Sequence, residues 1–84
     1  MLFAAVKIEV RLFANLARYL PPGTRGGATT LEVPADATLA SLVGRLAIPD
    51  DLPRLMLVNG RDATPGHRLV AGDVVILFPP LVGG

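Results

Sequence analysis

The chain has 84 residues, no cysteine and a net charge of +1, with 51% hydrophobic and 18% charged residues. Such a chain is one small, densely apolar folded domain, and it excludes a disulfide scaffold, a thiolate-held iron–sulfur cluster and a thiol nucleophile. The charges are scattered without a like-sign block, which gives no basis for a nucleic-acid or polyanionic membrane partner.

Along the chain, MLFAAVKIEV is apolar but lacks a basic n-region and reaches Lys7 and Glu9 too early for a signal peptide. No apolar run approaches the roughly 20 residues of a membrane span, so the expected location is cytoplasmic. Lys7 is the only lysine, and every other basic residue is arginine, a pattern that reads as coding bias. VKIEVRLF (6–13) alternates, with Val6, Ile8, Val10 and Leu12 on one face and Lys7, Glu9, Arg11 and Phe13 on the other, which predicts a strand with one buried side. ANLARYL (14–20) carries about one helical turn of pattern before Pro21-Pro22 stops it, and PPGTRGG (21–27) is a loop. TTLEV (29–33) predicts a second strand ended by Pro34.

The one good helix follows. Asp36 or Thr38 can cap it, and Leu39, Leu42, Val43, Leu46 and Ala47 recur at helical spacing until Pro49. RLMLVNG (54–60) predicts a strand running into the tight-turn pair Asn59-Gly60, and HRLV (67–70) a short strand or turn. The turn AGD (71–73) launches VVILF (74–78), apolar on both faces as in a central strand, and Pro79-Pro80 ends it. A helix that crosses over a mixed sheet of four to five strands, with a final central strand beside the first, is the β-grasp (ubiquitin-like) α+β arrangement. The expected organisation is a single domain over 1–78 and an extended tail over 79–84.

No internal catalytic set is apparent. His67 is the only histidine and reads as solvated, Asp50-Asp51 sits beside Pro49 and Pro53 as a loop feature, and Gly26-Gly27 lacks the strand and helix of a phosphate cradle. One helix covers one face of a sheet. Some of Phe13, Met56, Val75, Leu77 and Phe78 are therefore expected on the open face as an apolar partner surface, unless loops 21–27 and 49–53 fold over it.

The tail PPLVGG fits delivery into another protein. Its prolines favour extended backbone, six extended residues reach about 20 Å, and glycine passes channels too narrow for a side chain. The terminal carboxylate becomes an acyl donor once esterified to a nucleotide phosphate. A terminal Gly-Gly alone occurs by chance in about one chain in two hundred. Its weight comes from coinciding with an apolar stalk and an absence of internal catalytic groups.

Two stretches, VRLFANLARYL (10–20) and LVAGDVVILFPPLVGG (69–84), resemble the ubiquitin-like sulfur-carrier (MoaD/ThiS) family, and most of all the small subunit of molybdopterin synthase. The resemblance implies that an E1-like adenylyltransferase activates the Gly84 carboxylate with ATP. A sulfur donor protein then converts it to a thiocarboxylate, and a molybdopterin synthase large subunit receives the tail. By position, Gly84 would bear the sulfur, Gly83 would thread the partner's channel, and Phe78, Pro79, Pro80, Leu81 and Val82 would line it. The catalytic side chains would belong to the partner, and no bound cofactor or metal is implied. Carriers for thiamine, cysteine or tRNA thiolation, protein modifiers, and a β-grasp interaction module that needs no free terminus remain the alternatives.

Overall fold

Alternation dictates the first element. In the computed structural model, which describes residues 4–80, strand β1 spans Ala5–Leu12 and buries Ile8, Val10 and Leu12, while Lys7 and Arg11 are exposed. A 3-10 helix over Ala14–Tyr19 follows and drives Leu16 into the core. Strand β2, Ala28–Pro34, returns antiparallel to β1 with Ile8 opposite Leu31 and Val10 opposite Thr29.

Helix α1 covers Leu39–Arg45 and buries Leu39, Leu42 and Val43. Its cap is Thr38 and not Asp36: the Ser41 N–H donates to Thr38 Oγ1 at 3.2 Å, and the Thr38 N–H donates to Ser41 Oγ at 2.9 Å. This reciprocal pair satisfies two of the amide donors that a helix start leaves orphaned. The helix stops short of the expected Ala47 because Ala47 turns left-handed (φ 60°), letting the Ile48 N–H close back on the Val43 carbonyl at 3.2 Å. Leu46 and Ile48 still complete the apolar face beyond the helix end.

Strand β3, Leu55–Val58, runs into Asn59-Gly60, both at positive φ (54° and 82°), as a two-residue hairpin turn requires. The turn returns into the two-residue strand β4, Arg61–Asp62. The short strand or turn expected over 67–70 contributes a single bridge between Thr38 and Arg68, and Leu69 is fully buried. Strand β5, Val74–Phe78, lies between β1, to which it is parallel, and β3, to which it is antiparallel. The five strands are ordered β2-β1-β5-β3-β4, a mixed sheet with one main helix, as the β-grasp reading required. Its core lies on one side of the sheet, where Ile8, Val10, Leu12, Val33, Val58, Val75 and Leu77 meet the helix residues and Leu16.

Candidate functional site

The site grows from β5, because that strand ends where the tail begins. Its entry is locked by a buried carboxylate. Asp73 accepts from Asn59 Nδ2 and from the Val70 N–H, both at 2.9 Å, and Asn59 Oδ1 accepts from the Val74 N–H at 2.9 Å. The Asn59 N–H also donates to the Val74 carbonyl at 2.8 Å, so the β3–β4 turn is clipped to the first residue of β5. At the other end, Phe78 pairs with Leu55, and the Phe13 N–H donates to the Leu77 carbonyl at 3.1 Å. From there the half-buried Pro79 and Pro80 lead off, and neither ring nitrogen can extend the ladder.

Register sorts the side chains of this region into two faces. Val10 pairs with Val75 and Leu12 with Leu77, and both β5 residues are fully buried at 0% exposure. Val75 and Leu77 therefore belong to the core, which corrects their assignment to the partner surface. Met56 is corrected as well. It pairs with Leu77 and packs against the core, as a residue of that parity must. The open face instead carries Val74, Ile76 and Phe78 from β5 and Leu55 and Leu57 from β3, with Leu55 43% exposed.

Phe13, at 49% exposure, stays extended (φ −115°, ψ 156°) and continues β1's alternation onto the Arg11 side, beside the end of β5. Ala14 then takes φ 53°, a left-handed conformation that costs a non-glycine residue about 1 kcal/mol, and turns the chain into the 3-10 helix. The neighbouring half of the same face is polar, with Lys7, Glu9 and Arg11 on β1 and an ion pair between Arg11 and Glu9.

Leu55, Leu57, Val74 and Ile76 escaped the sequence reading. VVILF is apolar at every position, so its own pattern carries no parity; only pairing with the strictly alternating β1 reveals which residues face out. Leu81, Val82, Gly83 and Gly84 lie outside the described residues, which leaves Phe78, Pro79 and Pro80 as the part of the tail placed by the structure.

Among the described residues no three of His, Asp and Glu gather as a metal site, and no helix is long and apolar enough to cross a membrane. His67 is exposed on a surface groove of about 450 Å³ with Asn59, Arg61 and Asp62. Its backbone carbonyl holds the Leu39 N–H at 2.9 Å, so its placement serves the start of α1.

The model of the Mut7-C ubiquitin family matches residues 5–81. The chain belongs to that family. It is a ubiquitin-like protein of the MoaD/ThiS kind, with the fold of small modifiers and sulfur carriers. SAMP1 from Haloferax volcanii is similar at 32% identity, over 93% of this chain and 99% of that one, with a TM-score of 0.68. A Pyrococcus furiosus protein described as subunit 1 of a molybdopterin converting factor is similar at 26% identity, over 90% and 99% of the two chains, with a TM-score of 0.72. A chain from the complex of subunits 1 and 2 of the Helicobacter pylori molybdopterin-converting factor shares the fold at 22% identity, over 94% and 100%, with a TM-score of 0.61. No curated protein matches the chain.

Proposed function

We propose that this ubiquitin-like chain is a sulfur carrier. The carboxylate of Gly84 is adenylated by an E1-like enzyme with ATP and converted by a sulfur donor protein to a thiocarboxylate. The thiocarboxylate then serves as the sulfur source of molybdopterin synthase, whose large subunit receives the tail. One observation carries the reading: β5, held on both sides by β1 and β3, runs without a loop into Pro79-Pro80 and a sequence that ends in Gly-Gly. Pro79 and Pro80 restrict the backbone where it leaves the centre of the sheet, and pre-ordered backbone lowers the entropic cost of entering a partner's channel. The apolar stripe of Leu55, Leu57, Val74, Ile76 and Phe78, with Phe13 beside it, surrounds the stalk's root and suits burial against that partner. The likeness to the Pyrococcus furiosus molybdopterin converting factor subunit favours this acceptor over those of thiamine, cysteine or tRNA thiolation.

The intact mass of the protein isolated from its own cells tests the chemistry. A fraction shifted by exchange of one oxygen for sulfur is expected, and deletion of Gly84 or a C-terminal tag should abolish activity while the fold is retained. Full activity in the chain lacking Gly84 would sink the carrier reading and favour an interaction module working through its sheet. A second reading, attachment of Gly84 to amines of other proteins, is favoured by the likeness to SAMP1. It requires the same activated carboxylate and would appear as adducts heavier by one copy of the chain.

A further inference from the structure

The pair Asn59-Gly60 carries a reactivity that its role as a hairpin turn does not use. A backbone nitrogen that follows asparagine can close a five-membered ring on the side-chain carbonyl carbon Cγ, an intramolecular attack favoured by proximity. Glycine leaves that nitrogen without a side chain to screen it, and a Cβ at Gly60 would meet no atom within 4 Å. The chain has one other asparagine, Asn15, and no glutamine. Asn15 is followed by the branched Leu16, which is fully buried and whose N–H donates to the Phe13 carbonyl at 3.0 Å. That nitrogen is both crowded and engaged. Asn59 and Gly60 are instead exposed on a two-residue turn, open to water.

The same side-chain amide clips the turn to β5. Its Nδ2 donates to Asp73 Oδ1 and its Oδ1 accepts from the Val74 N–H, each at 2.9 Å, while the Asn59 N–H donates to the Val74 carbonyl at 2.8 Å. Drawing Cγ onto the Gly60 nitrogen pulls both ends of the amide away from these partners, so ring closure is confined to moments when the turn is open. We infer that Asn59 is the chain's site of spontaneous deamidation, held off while the clip to Asp73 and Val74 is closed, and that the reaction turns the bond to Asp73 into a contact between two carboxylates and releases the turn from β5. In the first step the Gly60 nitrogen gives its proton to solvent and bonds to Cγ. The Cγ–Nδ2 bond breaks, and Nδ2 takes a proton from water and leaves as ammonia. Water then opens the cyclic imide. Opening at Cγ leaves a side-chain carboxylate, and opening at the backbone carbonyl reroutes the chain through Cβ and Cγ. Neither product keeps an amide N–H to donate to Asp73. Asp73 is only 4% exposed, so the repulsion between the two carboxylates is weakly screened. This chemistry is independent of the carrier reading.

The test is a time course of the full chain at neutral pH, folded in buffer and unfolded in concentrated urea, read by intact mass and by mapping the modified residue after proteolysis. Exchange of NH for O is expected at Asn59 and not at Asn15, and at least about tenfold more slowly in the folded chain. Equal rates in the two states, or modification centred on Asn15, would overturn the inference. Urea unfolding reads the consequence for the clip. Asn59→Asp, which places the product's side chain on the turn, is expected to unfold at lower urea than the unmodified sequence. Adding Asp73→Asn reverses the pair. Its amide nitrogen can donate to the carboxylate at position 59, its oxygen can accept the Val70 N–H, and the carboxylate can accept the Val74 N–H, the bonds now made in the opposite sense. The double variant should therefore recover most of the loss. A single variant as stable as the unmodified chain, or a double variant no better than the single, would refute the facing carboxylates. If Asn59→Asp alone does not fold, a folded double variant is the same recovery and an unfolded one the same refutation.

Discussion

Replacing Asp73 by alanine removes the acceptor that ties the β3–β4 turn to the entry of β5. The carboxylate is buried at 4% exposure and takes two hydrogen bonds of 2.9 Å, from Asn59 Nδ2 and the Val70 N–H. A hydrogen bond to a charged group contributes about 1.5–3 kcal/mol. Both donor residues are exposed, so water recovers part of the loss and the lower figure applies, giving a cost of about 3 kcal/mol for the pair. For 84 residues the whole stability is about 4–12 kcal/mol, so the variant loses a large share of it. Asn59→Gly is the matching change on the other side. It deletes the amide and adopts the positive φ of 54° without the strain of about 1 kcal/mol that alanine would add. The two substitutions share one bond, so their combined cost should fall short of the sum by about 1 kcal/mol or more. Urea unfolding measures all four corners of the cycle, and an unchanged m-value confirms that the denatured state is the same. A cost for Asp73→Ala below about 1 kcal/mol, or strict additivity, would refute the view that this network holds β5 in register.

Three further outcomes follow from the packing. Gly44→Ala should stabilise the protein by about 0.5–1 kcal/mol, seen as a rise of a few degrees in melting temperature, because a Cβ there meets no atom within 4 Å. Thr38→Ala should cost about 1 kcal/mol in the same measurement, while Asp36→Ala should leave the helix cap intact. Leu77→Ala should cost about 3–5 kcal/mol as a core truncation, whereas Leu55→Ala on the open face should cost less than about 1 kcal/mol, a contrast that denaturant titration of the pair resolves.

The fold was legible wherever a side chain's fate is decided locally. VKIEVRL alternates because one face of β1 meets the core, Asn59-Gly60 marks its turn through backbone conformation, and Pro34 and Pro79 mark strand ends through their missing N–H. Parts that depend on distant partners were not. Arg61–Asp62 is too short to display a period and exists as a strand only because it pairs with Leu57 and Val58. Thr38 prevails over Asp36 as the cap because Ser41 three residues on can return the bond, a reciprocity that serine provides as well as the usual glutamate. Leu69 looks like part of a strand and is instead a core residue held by its N–H to the Ala37 carbonyl at 2.9 Å. At the candidate site the end of β5 at Pro79-Pro80 was legible from proline's missing N–H, but the surface around it was misassigned at Met56, Val75 and Leu77. An all-apolar strand gives no clue to its own parity.

The apolar stripe is nevertheless not what an uncovered sheet face must carry. On that same face β1 presents Lys7, Glu9 and Arg11, opposite Glu32 and Thr30 of β2, so half of it is as polar as solvent exposure favours. The apolar residues are confined to β5 and β3, the strand that ends in the tail and the strand paired with its last residues. A need for stability does not explain this placement, since Ile8, Val10, Val75 and Leu77 already fill the core side. Burial against something outside the chain does explain it, and the location specifies where. A partner that covers Leu55, Ile76 and Phe78 also grips the root of the stalk, and each ångström of fixed root narrows the space its far end can explore. On the carrier reading proposed above, such a partner would hold Phe78, Pro79 and Pro80, the root from which the Gly-Gly end is offered.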